Sequence, residues 1–411
     1  LRRELTGKLG SMAALLGVFA VLVMSQYQPY ASLIRNHREV RLMLVPSNVV
    51  GAVHGYLKRE LAAPVTLEVV GADAHRISAV GVTHRPRVTV VVVGETARAA
   101  NFSLNGYARP TNPELAERDV INYPQASSCG TATAVSVPCM FQDVGQADYK
   151  DSMASNREGL LDVLQRAGVG VLWRDNNSGC KGACDRVPSE DVSHLKLAEF
   201  CADGECHDEA LLHNLQAYLD SIERDSVVVL HMKGSHGPAY YKRYPAAFER
   251  FTPVCKNVQL DRCDTASIVN AYDNSLLYTD HVLAATIDLL HNNAARLDTA
   301  MLYMSDHGES LGELGMYLHG VPYAMAPSEQ THVPMVLWFS DGMQRSSGIS
   351  ADCLRQQAGQ PVSQDNLFHS VIGLMGVRTS VYQPQLDIFR GCMPATVAIA
   401  LHAESTEQRI D

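Results

Sequence analysis

The chain carries no Lys/Arg-rich run. Its 411 residues hold 34 Lys+Arg against 44 Asp+Glu, a formal net charge of −10. That balance excludes a protein that tracks a phosphate backbone, so nucleic acid is not an expected partner. Charge of either sign is sparse, at 19% of residues against 46% hydrophobic, which excludes disorder as the dominant state. No internal repeat divides the chain. Residues 9–34 contain neither a charged residue nor His, and their centre, 12–24, is almost wholly apolar. Such a run is a transmembrane helix candidate, with Tyr27 and Tyr30 placed for an interfacial belt. A secretory leader would need a small-x-small cleavage site after the run, and Met24-Ser25-Gln26 supplies none. A membrane anchor is therefore expected, in a sequence that starts at Leu1 and reads as part of a longer protein.

What the chain does contain is ten cysteines, all after that run: 129, 139, 180, 184, 201, 206, 255, 263, 353 and 392. Basic residues flank the run evenly, with Arg2, Arg3 and Lys8 before it and Arg35, Arg38 and Arg41 after it, so charge does not orient it. The cysteines do. An even number of them favours disulfides and an oxidising compartment. Short loops are the cheapest to close, which favours Cys129–Cys139, Cys180–Cys184, Cys201–Cys206 and Cys255–Cys263, and leaves Cys353 with Cys392. A zinc ribbon from Cys180, Cys184, Cys201 and Cys206 is the rival, with spacings wider than the usual C-x2-C.

Apolar, β-branched runs at 87–93, 226–231, 299–304 and 335–339 suit strands covered on both faces. Helical patterns at 210–222 and 270–290 lie between them, long enough for crossovers. The expected fold is α/β, a mostly parallel central sheet flanked by helices and preceded by one transmembrane helix. Residues 1–34 are expected to form the anchor, 35–86 a bridging segment (strand-like at 40–45, helical at 49–60), and 87–411 the α/β domain. Long loops fall at 140–160, 174–208 and 236–265.

Sites in open α/β sheets form beyond the carboxyl ends of strands. Three of these strands end in metal-ligand chemistry: Gly94-Glu95-Thr96, His231 with His236 just beyond, and Ser305-Asp306-His307-Gly308-Glu309. Mixed oxygen and nitrogen donors suit Zn²⁺, with Mn²⁺ next. Between them, residues 127–139 place Thr131 and Thr133 before an apolar stretch, the pattern of a helix N-terminus that accepts anions. Either hydroxyl could serve as a phosphoryl acceptor.

The segments 92–98, 128–141 with its Cys129-Gly130-Thr131-Ala132-Thr133, 234–238 and 305–313 resemble the lipid A phosphoethanolamine transferases. That family includes the mobile colistin-resistance enzymes and falls in the alkaline-phosphatase/sulfatase superfamily. The resemblance covers roughly residues 9–375. It implies that Glu95, Thr133, Asp306 and His307 hold a principal zinc, with Thr133 as nucleophile. It implies that His236 and His319 hold a second, weaker zinc or the substrate phosphate, and that Ser178 and Lys181 contact substrate. By the same resemblance the chain moves phosphoethanolamine from phosphatidylethanolamine to a lipid A phosphate through a phospho-threonine. It would do so as a monomer in the bacterial inner membrane, its catalytic domain in the periplasm, and confer polymyxin resistance. Core heptose or Kdo as acceptor, or a secreted metal-dependent phosphatase, are the alternatives. A sulfatase is disfavoured, because Pro138-Cys139-Met140-Phe141 lacks the Arg of the formylglycine segment. Relatives carry a longer membrane portion, of which only the last helix is expected here. His231, Glu309 and Glu313 are read as supporting residues and His281 as packing or solvated. His75, His84 and His369 receive no role.

Overall fold

The computed structural model describes residues 2–25, 43, 45–60, 66–77, 85–202 and 204–394. Helix α1 (Arg2–Ser25) covers the apolar run, and within it residues 6–23 are long and apolar enough to cross a membrane. Tyr27 and Tyr30 lie outside the described residues, as does most of the strand expected at 40–45. Helix α2 (Ser47–Glu60) matches the helix expected at 49–60.

The central sheet is built on eight strands: β1 (Arg87–Gly94), β2 (Ile121–Ser127), β3 (Gly170–Asp175), β4 (Ser189–Asp191), β5 (Ser226–His231), β6 (Asp298–Ser305), β7 (His332–Phe339) and β8 (Val362–Ser363). They order as β8-β2-β7-β6-β1-β5-β3-β4. Every neighbouring pair is parallel except the two that β7 makes, with β6 and β2. The sheet is thus mixed but dominantly parallel, and only the 335–339 run departs from the expected direction.

Strand β1 shows why the sheet is buried on both faces. Val91 and Val93 pack on one side with Phe368, Val371 and Ile372. Val88, Val90 and Val92 pack on the other with Ile268, Tyr272, Leu276 and Ile287. Alternate side chains of a strand point to opposite faces, so a continuous Val run needs a cover on each. Helix α3 (Thr133–Met140) follows β2. Helix α4 (Thr265–Asn292) covers the second face, started by Asp264, whose carboxylate accepts the Ser267 N–H at 2.9 Å. Helix α5 (Asp365–Leu374) covers the first.

The helix expected at 210–222 is broken. A 3-10 turn spans Asp208–Leu212, Asn214 takes a left-handed φ of 57°, and an α-helix resumes over Leu215–Asp220. The buried Arg174 guanidinium binds the carbonyls of Leu211 (2.6 Å) and His213 (2.9 Å), which a continuous helix would have used itself. The strands not anticipated have local reasons too. Strand β2 contains Pro124 and pairs with Pro334-containing β7 across a register shift, so two residues without an N–H meet at a bulge.

Five disulfides join Cys129–Cys139, Cys180–Cys184, Cys201–Cys206, Cys255–Cys263 and Cys353–Cys392. Cys180/Cys184 and Cys201/Cys206 form two separate bridges, which removes the zinc-ribbon alternative.

Candidate metal centre

Glu95 is the first residue past β1, and Asp306 and His307 are the first two past β6. Gly94 pairs with Ser305 across those neighbouring parallel strands, so the three side chains leave the sheet at one level. All three are fully buried, and one donor atom from each lies within 4.8 Å of the others. They are the one such group of His, Cys, Asp or Glu among the described residues.

Thr133 opens α3, whose N–H groups at Val135 and Ser136 both donate to the Ala132 carbonyl at 2.9 Å, with no side-chain cap. Its hydroxyl donates to Glu95 Oε2 at 2.8 Å and stands 3.3 Å from His307 Nε2. His307 Nδ1 is taken by the Gly308 carbonyl at 2.8 Å, which turns Nε2 inward. Asp306 Oδ1 accepts the N–H groups of Thr96 (3.1 Å) and His307 (2.7 Å). Its other oxygen, Oδ2, is buried with no hydrogen-bond partner.

That orphaned oxygen tests whether a metal fits. Burial and the neighbouring Glu95 charge push the Asp306 carboxyl up to about 7, with His307 opposing. Burial also raises Glu95, but the His307 ring, helped by His236 and His319, outweighs it and holds that carboxyl well below its usual range. Burial lowers His307, and Asp306 and Glu95 more than reverse this, to about 10. Two carboxylates enclosed together want a cation, and an oxygen with no hydrogen-bond donor, 3.5 Å from His307 Nε2 in an O/N cluster, is where one would bind. The donor set fits Zn²⁺.

Around this centre stand the other expected residues. His319 is half-buried; its ring centroid is 4.2 Å from that of His307 and 6.4 Å from that of His236. Glu309 Oε2 holds His319 Nδ1 at 2.7 Å, and the Tyr240 hydroxyl donates to Glu309 Oε1. The His236 loop is pinned at its start by buried Asp208, which accepts the N–H groups of Lys233 (2.7 Å) and Gly234 (2.8 Å). Gly234 has φ +49°, and a Cβ there would stand 2.5 Å from the Glu95 carbonyl, so only glycine lets the loop approach.

Ser178 and Lys181 are brought to each other rather than into the cluster: Lys181 Nζ donates to the Ser178 carbonyl (2.6 Å) and hydroxyl (2.7 Å). The residue of that loop that enters the centre is Asn177, whose amide donates to Glu95 Oε2 at 2.8 Å and the Met232 carbonyl at 2.9 Å. Sequence reasoning missed it, although it sits beside Ser178. Asp175 shapes the turn, accepting the N–H groups of Asn177 (2.8 Å) and Gly179 (3.1 Å) on one oxygen. Its other oxygen meets His231 Nδ1 at 2.8 Å and the Trp173 indole at 2.9 Å. Glu313 pairs with Arg98 at 2.6 Å, away from the ligand set. Thr131 donates to the Val321 carbonyl at 2.6 Å, so of the two hydroxyls only that of Thr133 reaches the carboxylate. His75 bonds the Asp73 carbonyl, His369 is buried near the Asp143 carbonyl, and His84 lies outside the described residues.

Residues 87–377 match the sulfatase family, and residues 1–61 match the family described as phosphoethanolamine transferase EptA/EptB. The phosphoethanolamine transferase EptA of Escherichia coli (strain K12) is 48% identical over 381 residues, covering 92% of this chain and 70% of that protein. The chain belongs to the phosphoethanolamine transferase family. Phosphatidylethanolamine transferase Mcr-1 of Escherichia coli is 41% identical, over 82% of this chain and 64% of the relative. Among solved structures, the integral membrane protein lipooligosaccharide phosphoethanolamine transferase A from Neisseria meningitidis superposes with a TM-score of 0.80 at 43% identity. That match spans 96% of this chain and 74% of the solved one. As a phosphoethanolamine transferase the chain is an enzyme with a sulfatase-like α/β domain behind one apolar helix.

Proposed function

We propose that this phosphoethanolamine transferase takes its group from phosphatidylethanolamine, carries it on Thr133 and delivers it to a lipid A phosphate. The observation that carries this is the Thr133 hydroxyl at a helix N-terminus, bonded to Glu95 beside an Asp306 oxygen that has no hydrogen-bond donor. Glu95, Thr133, Asp306 and His307 would hold Zn²⁺, which when bound makes a hydroxyl easier to ionise and offsets charge on phosphoryl oxygens.

The protein's own groups do the rest. Glu95 Oε2 takes the Thr133 hydrogen and leaves an oxygen lone pair facing the site. The N-terminus of α3 receives the donor's anionic phosphate. The Thr133 oxygen bonds to phosphorus as the bond to the diacylglycerol oxygen breaks, and that oxygen leaves with the proton Glu95 took. An oxygen of a singly protonated acceptor phosphate then attacks the same phosphorus, and the Thr133 oxygen leaves with the acceptor's proton, restoring the hydroxyl. Glu309 holds His319 through Nδ1, and burial lowers the pKa of the His236 imidazole, which favours its neutral form. These two are the sites for a second, weaker zinc or for the phosphate, with Ser178 and Lys181 on the substrate side. Residues 1–34 anchor the enzyme in the inner membrane, 35–86 bridge, and 87–411 act in the periplasm, as a monomer. Capping a lipid A phosphate with an amine weakens its attraction for cationic peptides, which is how colistin resistance would arise.

Mass spectrometry of lipid A from cells expressing the full-length protein tests this. Lipid A gains phosphoethanolamine if the reading holds. Radiolabelled ethanolamine released into solution, with lipid A unchanged, would make the enzyme a phosphatase instead.

A further inference from the structure

Directly after His319, residues 320–327 read Gly-Val-Pro-Tyr-Ala-Met-Ala-Pro, with no charged side chain. Pro322, Tyr323, Ala324 and Met325 are exposed in succession, Tyr323 at 37% and Met325 at 76%. Single exposed apolar residues are ordinary, but a contiguous apolar tip marks a contact surface. The tip is held firmly. Pro322 precedes its 3-10 turn Tyr323–Met325, and Met325 N–H donates to the Pro322 carbonyl at 2.8 Å. Val321 N–H donates to buried Gln330 at 3.2 Å, and the Val321 carbonyl accepts the Thr131 hydroxyl at 2.6 Å. Its base is therefore tied two residues from Thr133 on one side and two from His319 on the other.

We propose that this turn seats in the surface of the phospholipid leaflet that supplies the donor, placing Tyr323 and Met325 among headgroups and upper acyl carbons. The proposal rests on phosphatidylethanolamine as donor. Withdrawing acyl chains into water costs free energy with every methylene, so the site must come to the lipid. The turn carries no acid or base of its own, and although Tyr323 bonds Gln146 and feels one neighbouring acid, Asp365, a tyrosine beside a methionine has the chemistry of a membrane interface. The same chain carries α1, long and apolar enough to cross a membrane, which would keep the catalytic portion near such a surface.

The test compares two donors with one acceptor, using the full chain and the double variant Met325→Ser/Tyr323→Ser. One donor is long-chain phosphatidylethanolamine in neutral phosphatidylcholine vesicles; the other is a short-chain, water-soluble phosphatidylethanolamine kept below aggregation. The double variant should raise KM for the vesicle donor about tenfold, about 1.4 kcal/mol of lost interfacial burial, with kcat and the short-chain KM unchanged. Met325→Trp, which keeps an interfacial side chain, should hold the vesicle KM at the wild-type level. Equal effects on both donors, no effect on either, or a tryptophan variant as impaired as the serine one would overturn the leaflet contact alone. A wild-type enzyme inert with both donors would overturn the donor assignment beneath it.

Discussion

Thr133→Ala separates chemistry from structure. The half-buried hydroxyl has two neighbours, Glu95 Oε2 at 2.8 Å and His307 Nε2 at 3.3 Å. Removing it orphans neither: Glu95 Oε2 keeps the Asn177 amide at 2.8 Å, and no buried volume larger than a methyl and a hydroxyl is lost. The stability cost is then that of one modest hydrogen bond, about 1 kcal/mol, a shift of a few degrees in Tm for a domain of this size. Loss of the nucleophile should instead lower transfer by at least about a thousandfold. Initial rates with labelled phosphatidylethanolamine, thermal melts and mass mapping of the trapped intermediate measure all three. Thr131→Ala should keep most of its activity, because that hydroxyl is spent on the Val321 carbonyl. Transfer that survives Thr133→Ala, or a phosphoethanolamine adduct mapped to Thr131, would refute the assignment.

Other outcomes follow from the same coordinates. His236→Ala and His319→Ala, singly or together, should impair transfer yet leave about one zinc bound per chain by elemental analysis, since four donors elsewhere can close a tetrahedral shell. His281 is lifted to about 9 by its hydrogen bond to Glu209, against burial and with help from Glu114. A raised folded-state pKa stabilises fully below about 6.5 and fades as pH climbs through about 9. The shift bounds this near 3 kcal/mol, which partial exposure reduces to about 1, and His281→Gln should flatten the stability–pH curve over that window in urea melts. Removing Cys353–Cys392, which spans 39 residues, should cost about 4 kcal/mol by loop entropy, against about 2 for Cys180–Cys184, which spans 4. Paired Cys→Ala variants in denaturant titrations check the order.

The centre was legible where side chains end strongly patterned strands. β1 and β6 announce themselves as apolar runs, so Glu95, Asp306 and His307 could be placed at one sheet edge before any coordinates. β3 could not be read that way, because Arg174 and Asp175 are charged residues in a buried strand whose partners, Leu211, His213 and His231, are remote in sequence. Asn177 was invisible for the same reason: its reach to Glu95 depends on Asp175 gathering the N–H groups of the next turn. The break at Asn214 reflects Arg174 competing for helix carbonyls, a tertiary effect that local propensity does not contain. Direction was also hidden in β7, since an apolar run buried on both faces has no preferred sense of travel.

Cys129 and Cys139 bracket Thr133 and close on the far end of the helix that Thr133 begins. Eight residues, one of them Pro138, make a helix too short to hold itself. The crosslink ties the far end of that helix back to the segment just past β2, so the Thr133 hydroxyl is carried by a stretch of chain closed at both ends.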